Sequence, residues 1–279
     1  MKRVAETLGV SRSQLSERLK GSATPRGRYR KTDDGELLAP LRSLVDGRPT
    51  YGYRRIGALL NRDRLQKGLP RLNHKRIYRL MAQNGLLLQR YTGKPPGRAH
   101  DGRIITIRPN LRWTSDGLEI ACWNGETVRV AFALDTCDRE VMAWFATTGG
   151  ISGEMIRDLM LESVERRFAT RNVPHPVQWL SDNGSCYRAN DTIDFAIHLG
   201  LVPCFTPVRS PQSNGMAEAF VKTFKRDYVY VHDRPDAQTV LSQLSRWFED
   251  YNESHPHKAL RMQSPREFIR SYQPAAGPV

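Results

Sequence analysis

A chain of 279 residues with 39% hydrophobic and 26% charged residues has the composition of a globular protein large enough for more than one packed core. No apolar run approaches the ~20 residues of a bilayer-spanning helix, and Cys122, Cys137, Cys186 and Cys204 show neither C-x-x-C pairing nor zinc-finger spacing, so small buried thiols in a reducing cytoplasm are expected. The net charge of +14 is uneven: residues 1–110 hold 25 Lys+Arg against 8 Asp+Glu, whereas residues 111–279 hold 18 against 21. A polycationic front of this kind neutralises phosphates and releases counterions, which points to nucleic acid.

In chain order, Val4, Ala5 and Leu8 mark a first short helix and Gly9 suits a left-handed turn. Ser11 can cap a second helix, with Gln14 at the capping-box position and Leu15 and Leu19 facing inward. This gives a possible helix-turn-helix over residues 1–22, closed by a Pro/Gly/Arg linker at 22–28. A helical module over residues 36–92 follows. Leu37, Leu38, Leu41 and Leu44 have helical spacing, with Gly47 and Pro49 as stop signals. Tyr53, Ile56, Leu59 and Leu60 predict a second helix carrying Arg54 and Arg55 beside its apolar stripe. Asn73 can cap a third, with Ile77, Leu80 and Met81 inward, Lys75, Arg76 and Arg79 outward, and Gly85 as its end. Three short helices with a basic last helix predict a DNA-binding module, with Arg54, Arg55, Lys75, Arg76 and Arg79 as its contacts.

A second linker at 92–98 leads into residues 110–272, where β-like runs at 128–134 and 141–146 flank the polar turn 135–139. A helix-period segment with Met155, Leu159, Leu161, Val164 and Phe168 as core residues comes next. A strand at 177–180, a helix near 193–199, a strand at 201–206, and helices from Met216 and over 237–251 complete the domain. The hairpin followed by alternating strands and helices predicts an α/β domain with a mixed sheet.

Three carboxylates fall where these elements begin or end. Asp116 follows 111–115 at the expected end of a strand, Asp182 lies between a strand and the Asn183-Gly184 turn, and Glu218 sits in the first turn of the helix after 209–215. Three converging carboxylates suit two hard divalent ions, which activate the attacking oxygen and stabilise the leaving one in phosphodiester displacement. Without metal they repel one another, so at least one pKa is expected to rise. Asp135, which also ends a strand, and its neighbour Asp138 compete with Asp116 for the first position.

Trp113-Thr114-Ser115-Asp116, then Ser181-Asp182-Asn183-Gly184-Ser185-Cys186-Tyr187, then Ser210-Pro211-Gln212-Ser213-Asn214-Gly215-Met216-Ala217-Glu218 resemble the D-D-35-E core of retroviral integrases and insertion-sequence transposases, with 35 residues between the last two acids. The likeness runs on through Lys222-Thr223-Phe224-Lys225, through 251–260 and through Ser264-Pro265-Arg266-Glu267, whose form is similar to the second-frame product of two-frame elements; in all it covers roughly residues 36–272. It implies an RNase H-like fold behind small all-α DNA-binding modules. It also implies that Asp116 rather than Asp135 acts with Asp182 and Glu218 to hold two Mg²⁺ ions, for which Mn²⁺ can substitute. Lys225 matches the family's DNA-contacting base, and Lys222 shares a helix face with it and Glu218. One departure is Gly117-Leu118, where the family often has an apolar residue and then Thr.

The function so implied is that of a bacterial DNA transposase. It would bind double-stranded DNA bearing terminal inverted repeats, cleave and transfer strands as a homo-oligomer on DNA, and act in the cytoplasm at the nucleoid. Such second-frame products often work as frameshift fusions with an upstream-frame product. The alternatives are a DNA-binding regulator with an inactive catalytic domain, which all three acids being present argues against, and a plain RNase H-type nuclease.

Overall fold

The computed structural model describes residues 2–19, 32–89, 106–206 and 215–272. Two short helices, α1 (Lys2–Thr7) and α2 (Arg12–Leu19), flank a turn in which Gly9 takes φ +61°, as its lack of a Cβ permits. Their packing is thinner than expected. Ala5 and Leu15 are buried, but Val4, Leu8 and Leu19 stay exposed because two helices of six and eight residues have too little surface to cover them. The two linkers at 22–28 and 92–98 lie outside the described residues.

Helices α3 (Leu38–Gly47), α4 (Tyr53–Gln66) and α5 (His74–Gln83) form the helical module. Their apolar stripes meet in one core of Leu37, Leu41, Tyr51, Ile56, Leu60, Ile77, Leu80 and Met81. Asn73 caps α5 by accepting from Lys75 N at 2.8 Å, and Gly85 follows it with φ +69°. At Gly57 the helices touch: a Cβ there would stand 2.8 Å from Ile77 Cδ1.

In the C-terminal domain, β1 (Arg112–Ala121), β2 (Thr127–Asp135) and β3 (Val141–Thr147) form an antiparallel meander. After α6 (Gly153–Phe168), β4 (Val177–Ser181) pairs parallel with β1; after α7 (Ser185–Arg188) and α8 (Asn190–His198), β5 (Leu201–Phe205) pairs parallel with β4. The sheet is therefore mixed, in the order β3-β2-β1-β4-β5. The chain then forms α9 (Gly215–Phe224), a π-helical turn (Lys225–Val229), α10 (Ala237–Ser254) and α11 (Pro265–Ser271), the last closed by a Ser264/Glu267 capping box.

Strand alternation decides which helices cover which face. Leu118, Ile120, Val130 and Phe132 pack on Phe220 and Phe224 of α9 and on Trp247, Phe248 and Tyr251 of α10. Trp113, Ala131 and Ala133 face the other way, onto Ile156, Leu159 and Met160 of α6 and Ala196 of α8. Periodicity alone missed Ile156 and Met160, while Leu161 and Phe168 prove only partly buried. Of the four thiols, all free, only Cys122 is buried.

Candidate active site

Asp116 lies in the middle of β1, not at its end as expected. Beyond it Gly117 pairs with Ala131 and Leu118 with Val130, so cross-strand pairing overrides glycine's poor strand propensity. A residue larger than glycine would crowd α6's approach, since a Cβ at 117 would stand 3.3 Å from Ile151 Cδ1. What does end near Asp116 is the partnership with β4. Pairing runs Arg112↔Gln178, Trp113↔Trp179 and Thr114↔Leu180, and the same offset (178 minus 112, or 66) sets Asp116 level with Asp182. Adjacent strands are ~4.8 Å apart, so Asp116 and Asp182 start from neighbouring backbones just past the last paired residues.

The Asp182-Asn183-Gly184 turn is tightly built. Gly184 N donates to Asp182 Oδ1 at 2.9 Å, and a Cβ on Gly184 would sit 3.0 Å from that oxygen. Asn183 Nδ2 donates to Thr206 O at 2.8 Å, tying the turn to the end of β5. Below it, the buried Tyr187 hydroxyl and Ser115 Oγ are 2.8 Å apart, which locks the turn to the residue before Asp116.

Helix α9, which carries Glu218, packs against β1 and β2. Its inward residues Ala217, Phe220 and Phe224 are buried, and the Phe220 ring lies 4.5 Å from that of Phe132, the cross-strand partner of Asp116. Glu218 itself is partly exposed and ion-paired with Lys222 at 3.6 Å. The residues between β5 and α9, including Ser210 to Asn214 of the sequence motif, lie outside the described residues.

The charges of Asp182 and Glu218 are felt at Asp116. The Asp116 carboxyl is pushed up to about 6, first by burial and then by the charges of Asp182 and Glu218, against the lowering effect of a 2.8 Å hydrogen bond from Gly117 N. Among the described residues no three His, Cys, Asp or Glu side chains are already drawn together as a metal-ligand cluster. Each acid is engaged separately, Asp116 and Asp182 on backbone N–H groups and Glu218 on Lys222. The donor set, three carboxylates with like-charge repulsion felt at Asp116, is one that a hard divalent cation fits.

Asp135 has a different occupation. It is fully buried and accepts from Asn110 N at 2.7 Å, Cys137 N at 2.7 Å and Trp113 Nε1 at 3.2 Å. Arg167 of α6 bridges it, Asp138 and Glu140, at 3.6, 2.5 and 2.9 Å. This knot ties β2 to α6 and the start of β1, with its three acids around one buried guanidinium.

The predicted DNA contacts separate. Arg54 and Lys75 are exposed, Lys222 is exposed beside Glu218, and Lys225 is half-buried at the first position of the π turn. Arg55 instead reaches the buried Asp227 at 2.9 Å, and Arg76 and Arg79 both bind Asp34, at 2.8 and 2.7 Å. Sequence periodicity could not foresee this, because each acid lies in another element. Two further arginines join the module to the catalytic domain: Arg48 grips Asp250 with both terminal nitrogens, and Arg62 donates to Ser254 O and Met262 O and pairs with Glu267 at 2.6 Å. Tyr51 fills the seam, its hydroxyl 2.7 Å from Nδ1 of the buried His255.

Comparison with known proteins agrees with this architecture. Two models described as integrase core domain match residues 107–211 and 199–265, and one described as an HTH-like domain matches residues 33–94. The transposase InsD for insertion element IS2A/D/F/H/I/K of Escherichia coli is 51% identical over 270 residues, covering 96% of this chain and 90% of that protein. The chain belongs to this family of insertion-element transposases. The corresponding protein of IS2-9 from Escherichia coli strain K12 is likewise 51% identical, with 88% of its length covered. A chain in the cryo-EM structure of the simian T-cell lymphotropic virus intasome in complex with PP2A regulatory subunit B56 gamma is similar in fold alone, with TM-score 0.51 and 14% identity over 86% of this chain and 77% of that one. As a transposase with an integrase core, the chain has polynucleotidyl transfer as its implied chemistry and DNA as its partner, and among the described residues no helix is long and apolar enough to cross a membrane.

Proposed function

We propose that this transposase binds the terminal inverted repeats of its element and both cleaves and joins DNA strands at a site made by Asp116, Asp182 and Glu218. The observation that carries the reading is the Asp116 carboxyl, raised first by burial and then by acids from two other elements, just past the last paired residues of a parallel strand pair. Asp116, Asp182 and Glu218 would hold two Mg²⁺ ions, or Mn²⁺ in their place. When bound, such ions activate the attacking oxygen and stabilise the leaving one. The protein's own residues do the rest. The Ser115–Tyr187 and Asn183–Thr206 bonds keep two acids in place, and Lys222 and Lys225 hold the phosphates of a DNA terminus along α9. Water attacks phosphorus and the bond to the 3′ oxygen breaks; the 3′-hydroxyl freed in this way then attacks a second phosphodiester, with no protein–DNA covalent bond. In a two-frame element the product is a junction of the two ends, made by a homo-oligomer on DNA at the nucleoid and by a frameshift fusion with the upstream-frame product.

The test supplies the element's ends in cells with the full-length fused protein, wild type beside Glu218→Gln. Junction DNA from wild type that is lost in the variant supports the assignment. Equal junction from both sinks it, and binding of the ends without junction from either protein would make the chain a regulator.

A further inference from the structure

Folding gives five arginines of the helical module acidic partners. Arg48, Arg55 and Arg62 turn toward the catalytic domain, and Arg76 and Arg79 turn onto Asp34 within the module. Arg54 and Lys75 do neither and are exposed. Aromatic rings lie beside Arg54 and next to Lys75 in the chain. The Tyr53 ring stacks on His74 at 6.4 Å between centroids and meets Tyr78 edge-on at 5.1 Å. The Arg54 guanidinium lies 5.7 Å from the Tyr53 ring centroid, and its Nε donates to Tyr53 Oη at 3.1 Å.

Nothing in the core requires this cluster to face out. The inward face of α5 is complete with Ile77, Leu80 and Met81, all buried, while on the other face His74 and Lys75 are exposed and Tyr78 is 42% exposed. His74 and Tyr78 are four residues apart and so lie one above the other on the helix. An exposed tyrosine held by a second tyrosine, itself fixed by an arginine, is a rigid apolar contact with cations on both sides.

We infer that Tyr53, Arg54, His74, Lys75 and Tyr78 form the face that reads a B-form duplex at the element's end, with α5 in the major groove. This rests on the end binding proposed above and adds which residues discriminate. Lys75 and Arg54 supply phosphate or guanine-edge contacts, and the Tyr78 ring supplies apolar contact to thymine methyl groups, which a major-groove helix can reach. Duplex DNA is the occupant that the charge favours, because the surrounding polypeptide carries the chain's excess of lysine and arginine. Arg55, Arg76 and Arg79, in contrast, act as internal struts.

The experiment titrates the full-length chain onto two labelled duplexes of equal length and composition, one the element's end and one scrambled, at several salt concentrations. Wild type binds the end more tightly. Tyr78→Ala weakens binding to the end by about 5- to 30-fold, leaves the scrambled duplex nearly unchanged and keeps the salt slope. Lys75→Ala weakens both and lowers the log–log salt slope by about 1. Should Tyr78→Ala lower the melting temperature, His74→Ala tests the same face, with loss of preference for the end again expected. If these variants bind the end as wild type does, this face is overturned while end binding stands. If wild type itself does not distinguish the two duplexes, end recognition is overturned and the face with it.

Discussion

Replacing Asp116 with asparagine removes a charge that folding buries within reach of two others. Its carboxyl rises from an ordinary 3.8 to about 6. That difference corresponds to about 3 kcal/mol, of which solvent screening at a partly open site leaves about 1–2 kcal/mol. Because the folded pKa lies above the unfolded one, the folded chain holds the proton more tightly. The penalty is absent below the unfolded pKa, grows as pH rises from 3.8 toward 6, and is complete above that. Asparagine is neutral throughout. Melting in chelator at about pH 7.5 should therefore place Asp116→Asn some 2–6 °C above wild type, and at about pH 4 the two should converge. Adding magnesium at about pH 7.5 should raise the wild type more than the variant, because a ligand that binds the folded state stabilises it and the variant has lost one charged donor. An Asp116→Asn protein that melts below wild type in chelator would refute the reasoning, since it would mean that the carboxylate is compensated where it stands.

The same shift predicts that magnesium-dependent strand transfer falls off below about pH 6, where Asp116 must lose a proton before it can bind a cation; a pH–rate profile flat from about 5 to 8 would contradict it. Asp227→Ala leaves Arg55 and Arg226 facing each other across a fully buried position and should cost about 3 kcal/mol in denaturant unfolding, with faster proteolysis between the helical module and the catalytic domain. An unchanged midpoint would show that this pair does not hold the two together. Asp135→Ala should cost at least about 2 kcal/mol, because the backbone N–H groups of Asn110, Cys137 and Asp138 lose this acceptor and Trp113 Nε1 keeps only Asn110 Oδ1, yet the variant's melting point should still rise with magnesium. Loss of that rise would return Asp135 to the candidate site.

What the amino-acid order determined by itself was whatever depends on near neighbours. The Asn73 cap, the Gly9 and Gly85 turns, the apolar stripes of α3 to α5 and the β2–β3 hairpin were legible because each is settled within a few residues. The three carboxylates were legible through motif and spacing. Their arrangement on three separate elements was not, because it depends on the β1–β4 register and on Phe220 seating α9 against Phe132. That Asp116 lies mid-strand is not legible locally, since Gly117 has poor strand propensity and only pairing with β2 carries the strand through. Asp135 and Asp116 looked equivalent along the chain. Tertiary structure separated them by placing Arg167 beside one and two acids near the other. The arginines show the limit most plainly. Arg54 and Arg55 are adjacent in sequence, yet one lies in solvent and the other binds a buried carboxylate 172 residues away. A cation's role is set by the charge that folding brings to it, and no local pattern contains that charge.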